Sequence, residues 1–293
     1  HRDLHSFPTR RSSDLALSLY VADRMLALFS LQRFDTGSGS ADKHTVHITN
    51  VCYQKGHFRP PPGSEATFRE EQAVLLLHEA LENWAREYTD AIREAYELPA
   101  DAPVDPQQAH VQALPDHLHS SYELFAHFYC WARALVAGRV GLALPESLAH
   151  LAMDLATVSL ERLTGLLLFS HVAAQIHRVL AETFCAGAGI HDAEPFIPVR
   201  DKTKPTGAQL APLRTTMAMA NYTPMAQSGE LYGVDFMVDA RGKVWLLELN
   251  AGPDFGQTGQ RLKELVCAPM IRGMAALLLQ THFPALAARA EPV

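Results

Sequence analysis

Three oxygen-bearing side chains toward the C-terminal end of this sequence have the types and spacing to hold a divalent cation: Asp235, Glu248 and Asn250. They lie in GVDFMVDARGKVWLLELNAGPD, Gly233 to Asp254, which reads as two strands joined by a tight turn. The strands are Val234 to Asp239 and Val244 to Asn250. Between them Ala240-Arg241-Gly242-Lys243 is a turn signal, with Gly where positive φ costs little. Pairing Ala240 with Lys243, or Asp239 with Val244, sets Asp235 opposite Glu248 in either case. Opposed Cβ atoms sit ~5 Å apart and the next neighbour on that face ~7 Å away. Two unpaired carboxylates at that distance repel unless a cation lies between them. Two carboxylates and an amide carbonyl make a hard, all-oxygen set. It suits Mg²⁺, which binds through one or two carboxylates plus substrate phosphates. The competing reading is a hairpin whose polar end is simply solvated, since charged residues are mostly exposed.

The hairpin has to present these groups on one side. Side chains alternate along a strand. One face is expected to carry Val234, Phe236, Val238, Trp245, Leu247 and Leu249, all apolar and fit for a core. The other is expected to carry Asp235, Met237, Val244, Leu246, Glu248 and Asn250. Farther upstream, Val46-His47-Ile48-Thr49-Asn50-Val51, followed by Gln54-Lys55, ends an apolar alternation in a hydroxyl and an amide. Those two can bond a ligand, or Asn50 can bond its own backbone and start a turn.

The hairpin resembles the metal-binding hairpin of the tubulin–tyrosine ligase family, a branch of the ATP-grasp ligases. The V-H-I-T-N segment resembles that family's H-[LI]-T-N block, and the two occur in family order. The resemblance implies an α+β chain: the C-terminal half of an ATP-grasp fold, an antiparallel sheet with packed helices, carrying a large helical insertion. It implies that Asp235, Glu248 and Asn250 hold Mg²⁺ against the phosphates of ATP. It further implies that His47, Thr49 and Asn50 line the nucleotide and acceptor end, with Thr49 and Asn50 acting on the reacting groups. The implied reaction is ATP-dependent joining of a free amino acid to a carboxylate of tubulin or another acidic protein C-terminus. A cytoplasmic, microtubule-associated, monomeric protein is the corresponding expectation. Where the family has an Arg before a Thr or Ser, this chain has Leu28-Phe29-Ser30. That departure, with the large insertion, also fits a catalytically silent relative that binds tubulin or another protein.

Composition agrees with a globular protein. The chain has 293 residues, 48% of them hydrophobic and 19% charged, which separates it from disordered sequences. A net charge of −7 without a basic stripe argues against nucleic acid as the partner. No uninterrupted apolar run reaches the ~18 residues of a membrane span; the stretch from Leu163 to Val179 contains Ser170, His171, Gln175 and His177 and reads as a buried helix. Cys52, Cys130, Cys185 and Cys267 form no C-x-x-C pair and fit reduced thiols. No H-E-x-x-H occurs among the histidines, and His117 and His119 stand in a Pro-rich loop. Walker A and G-x-S-x-G sequences are absent.

In chain order, residues 1–15 are polar and aperiodic, resembling a translated sequencing adapter, and are set apart from the fold. On that reading 16–275 is a partial ligase domain with its insertion at about 64–190, and 276–293 is a tail. The earlier half of an ATP-grasp unit, with its phosphate-binding lysines, is not seen before Ala16. The chain alone is therefore expected to bind ATP weakly or not at all and to be inactive by itself. Ala16 to Ser30 reads as a first hairpin turning at Ala22-Asp23-Arg24. Thr67-Phe-Arg-Glu70 has capping-box spacing, and Val74, Leu77, Leu81, Trp84, Tyr88, Ala91 and Ala95 form a helical stripe. Pro99 to Pro115 reads as an exposed loop or linker. Ser120-Ser-Tyr-Glu123 opens a helix to Leu135. Ser147 opens another toward Cys185, with a break at Gly165. His191 to Gly229 is irregular; its Lys202, Lys204 and Arg214 can attract an acidic peptide or simply be solvated. Gln260 to Gln280 closes the chain as a helix.

Overall fold

Two long helices cross at a glycine and anchor the main core. The computed structural model describes residues 19–30 except 23, 44–60 except 50, 68–69, 73–138, 145, 148, 154–187 except 156, 229–255 except 254, and 259–283. In order these form β1 (Leu26–Leu28), α1 (His44–His47), α2 (Val51–His57), β2 (Val74–Leu76), α3 (Leu77–Ala95), a 3₁₀ turn at Val111–Ala113, α4 (Asp116–His119), α5 (Tyr122–Val136), α6 (Leu160–Gly187), β3 (Tyr232–Val238), β4 (Val244–Ala251), α7 (Gly259–Leu262), a π-helical turn at Lys263–Cys267, and α8 (Ala268–His282). The class is α+β, with two small antiparallel sheets, β1–β2 and β3–β4.

The stripe read on α3 does pack. Tyr88 is buried and Leu77, Leu81 and Trp84 pack onto the main core, while Ala95 at the end of the stripe is exposed. That core draws Phe128, Ala132 and Leu135 from α5, Leu163, Leu167, Leu168 and Val172 from α6, and Val244 from β4. Among the described residues, α6 is the helix long and apolar enough to cross a membrane; Leu163, Leu167 and Val172 on it are fully buried within this core. A second cluster around Tyr88, Phe125 and Tyr129 takes in Val104 and Leu114, so the Pro99–Pro115 segment is folded against the body and is not a linker. A third joins Val51, Val74 and Leu76 to Leu262 and Val266, tying the N-terminal sheet to the turn before α8. Arg261 also reaches Glu79 at 2.5 Å, and Arg93 reaches Glu161 at 3.3 Å between α3 and α6.

Several expectations are corrected. Among the described residues, β1 does not fold back on Leu19 to Val21. It pairs with β2, Leu26 opposite Leu76 and Leu28 opposite Val74. Val74 and Leu76 bring a buried apolar edge for it to pair with. The alternation ending at Thr49 forms no strand; α1 and α2 flank it. Gln54, almost fully buried, donates from its amide to the carbonyls of Thr45 and Ile48 and so closes the link between these helices. α3 starts at Leu77, straight after β2, where Glu79 accepts the Leu76 N–H at 3.4 Å; the Thr67 and Glu70 box lies outside the described residues. α6 starts at Leu160, not Ser147, and Ser159 Oγ accepts the Arg162 N–H at 3.2 Å.

Gly165 does not break α6. A Cβ there would stand 2.6 Å from the backbone N of Glu82 and 2.8 Å from its Cα. The glycine lets the backbones of α3 and α6 touch. α5 matches its reading closely, spanning Tyr122–Val136 and ending at Gly138 with φ +63°.

Candidate functional site

Both strands of the C-terminal hairpin form where their alternation predicts, and Asp235 stands opposite Glu248. The register reaching that pair is not the regular one. Near the turn Val238 pairs with Val244, Met237 with Trp245 and Phe236 with Leu246. Leu247 is then an extra residue, a β-bulge, after which Asp235 pairs with Glu248 and Gly233 with Asn250. One consequence corrects the expected faces. Val244 is buried in the core, while Trp245 is 45% exposed and Leu247 59% exposed. Directly paired residues share a face, so Trp245 lies with Met237 and Asp235, and Val244 lies with the core-packed Phe236. A continuous ladder would have reversed both positions.

The turn is built around two features. Gly242 has φ +73°, the left-handed region anticipated for it. Asp239 accepts the N–H groups of Arg241 at 2.9 Å and Lys243 at 3.0 Å, and the Trp245 indole N–H at 3.0 Å. These donors, the indole first, pull its carboxyl below the usual carboxylate range. At the other end, Gly252 takes φ +67°, and a Cβ on Gly233 would meet the Pro253 side chain at 2.9 Å. Pro253 therefore closes the strand behind Asn250.

The three predicted metal ligands are brought together. Asn250 Nδ2 donates to Glu248 Oε1 at 2.9 Å. The Asp235 carboxyl is raised above its usual range, by partial burial first, then by its hydrogen bond with Glu248 and that group's charge. Among the described residues no lysine or arginine is ion-paired with either carboxylate. Two acids pressed together, plus an amide whose Oδ1 completes the set, are what a hard divalent cation would neutralise. The donor chemistry thus fits Mg²⁺. No cluster of three or more His, Cys, Asp or Glu suited to a metal occurs among the described residues.

The second predicted set is less complete. His47 ends α1 and Thr49 follows in the half-buried link, whereas Asn50 lies outside the described residues. Lys202, Lys204 and Arg214 also lie outside them. Gln175 and the bulged Leu247 were missed in the sequence. A glutamine on an apolar helix carries no local signal, and a bulge leaves none in strand alternation.

The sequence profile of the tubulin-tyrosine ligase family matches residues 12–129 and 201–286 of this chain. It belongs to that family. Two curated relatives share a short stretch. The probable tubulin–tyrosine ligase PBY1 of Saccharomyces cerevisiae is 52% identical over 46 residues, 16% of this chain and 6% of that protein. The probable tubulin–tyrosine ligase C12B10.04 of Schizosaccharomyces pombe is 44% identical over 46 residues, 16% of this chain and 11% of that protein. The matched stretch is thus a small fraction of either relative's length. No solved structure matches. Of this ligase-family chain, the hairpin lies inside the matched residues, and α5 from Cys130 onward and all of α6 lie outside them.

Proposed function

We propose that this member of the tubulin-tyrosine ligase family is an ATP- and Mg²⁺-dependent ligase that joins a free amino acid to a carboxylate of an acidic protein C-terminus, tubulin being the first candidate. The observation carrying this reading is the opposed pair Asp235 and Glu248, with Asn250 bonded to Glu248, in a chain of that family. Asp235, Glu248 and the Asn250 Oδ1 would hold the cation. Bound there, Mg²⁺ would neutralise the phosphate charge of ATP as the acceptor carboxylate is phosphorylated and the amine then displaces phosphate. The protein's part is positioning and charge compensation, which needs no protein nucleophile. Thr49 and Asn50 would orient phosphate or acceptor, with His47 beside them. The cytoplasm, on or near microtubules, is the corresponding site of action.

A second reading rests on Leu28, an exposed apolar residue on β1 where the resemblance calls for an Arg. On it, the chain binds tubulin or another protein without catalysis. ATP-dependent incorporation of labelled Tyr, Glu or Gly into tubulin or Glu-rich peptides separates the two. In the full-length gene product, the ligase reading predicts incorporation that Glu248→Gln abolishes. Tubulin binding by that product with no incorporation of any of the three supports the silent relative.

A further inference from the structure

The turn of the hairpin is held from outside the hairpin. Gln175, half-buried on α6, donates from Nε2 to the Gly242 carbonyl at 2.8 Å. Its Oε1 accepts the Val244 N–H at 3.2 Å. One side-chain amide thus brackets Lys243 and satisfies two backbone groups that the ladder leaves unused. The same turn is pressed on α5, where a Cβ on Gly242 would stand 3.0 Å from Leu124 Cδ1. Val244, just beyond the clamp, is sunk in the core.

This fixes the register at one end of β4. Continued without interruption, that register would set Leu247 opposite Asp235 and turn Glu248 to the other face, because a shift of one residue reverses every side chain. The bulge at Leu247 absorbs the difference and returns Glu248 to Asp235. Bulges re-aim side chains. The competing arrangement, Asp239 opposite Val244, needs no bulge but brings Val244 out of the core and breaks both bonds to Gln175. We propose that Gln175 is a positioning residue for the Asp235–Glu248–Asn250 site: by pinning Gly242 and Val244 it maintains the bulge that aims Glu248. The inference rests on the reading of that trio as a cation site. It also gives a role to α6, which lies outside the residues matched by the family profile.

The test is Mn²⁺ binding to the full chain, followed by electron paramagnetic resonance, in wild type, Gln175→Met and Leu163→Val. Methionine keeps the volume and removes both hydrogen bonds. Leu163→Val loosens the same helix at a buried position away from the turn. Gln175→Met is expected to weaken Mn²⁺ binding about tenfold, the lower end of what outer-shell losses cost in metal affinity. Leu163→Val is expected to lower the melting temperature without changing the affinity. Gln175→Glu, which keeps the acceptor for Val244 and loses the donor to Gly242, is expected to fall between and serves if the Met variant does not fold. Wild-type binding that Gln175→Met and Gln175→Glu leave unchanged overturns the positioning role alone. Failure of the wild type to bind Mn²⁺ removes the cation-site reading, and this inference with it.

Discussion

Asp235 and Glu248 face each other across a bulged hairpin, and burial together with Glu248 holds the Asp235 carboxyl above its usual range. A fold that kept these two acids only as solvated surface would gain nothing from pairing them. Replacing Glu248 by Gln removes one charge and keeps the shape. The metal-free variant should be at least as stable as wild type in thermal melts. On the proposed ligase reading, turnover of the full-length gene product carrying the substitution should fall by about a hundredfold or more, the order seen when one electrostatic contact to a transition state is removed. A loss of stability matching the loss of activity would argue for a structural role.

The sign of the pH dependence follows from the same pair. The folded-state value for Asp235 is raised above its reference of 3.8. The folded chain therefore holds that proton more tightly than the unfolded chain does. Its contribution to stability is complete below pH 3.8 and is lost as pH rises through the raised value. In denaturant titrations without metal, the stability of wild type relative to Asp235→Asn should decline as pH rises through that window. Mg²⁺ competes with the proton, so its apparent affinity should increase over the same range. A difference between the two proteins that is flat with pH would contradict the coupling.

The helix crossing gives a test independent of function. Gly165→Ala places a methyl 2.6 Å from the Glu82 backbone N, which only a shift of α3 against α6 can relieve. Overpacking of this kind costs about 1–3 kcal/mol, readable as a lower urea midpoint. Alanine is the better helix former, so an increase in stability would show that the helices do not touch there.

Much of this was legible in advance, for identifiable reasons. The α3 stripe and α5 follow from periodicity, which is local. The positive φ of Gly242 follows from turn chemistry, which is local too. What escaped was long-range. β1 pairs with Val74–Leu76, far along the chain, and not with its neighbour. Gly165 reads as a breaker until the partner backbone of Glu82 is known. The Thr49 segment alternates like a strand, yet α1 takes its start and Gln54 bonds Thr45 and Ile48 across the link to α2. The Asp235–Glu248 pairing was reached by assuming a regular ladder. The bulge leaves that pair intact while exchanging the faces of Val244 and Trp245.

Tyr88 supplies a local check on the second core cluster. Its buried hydroxyl donates to the Leu118 carbonyl at 2.6 Å and is bonded to Ser121 Oγ at 2.7 Å, joining α3 to the entry of α5. Tyr88→Phe leaves that carbonyl without its donor and should cost about 1–2 kcal/mol in chemical denaturation. An unchanged midpoint would place water or another donor at Leu118.

The proposed cation site is open to direct inspection by paramagnetic broadening. With the chain ¹⁵N-labelled and Mn²⁺ added in substoichiometric amounts, the first resonances to vanish should be the Asn250 side-chain amide and the backbone amides of Gly233, Asp235 and Glu248. The Asp235→Asn variant should abolish the effect. Broadening centred elsewhere, or unchanged in that variant, would contradict the assignment of Asp235, Glu248 and Asn250 as the magnesium ligands.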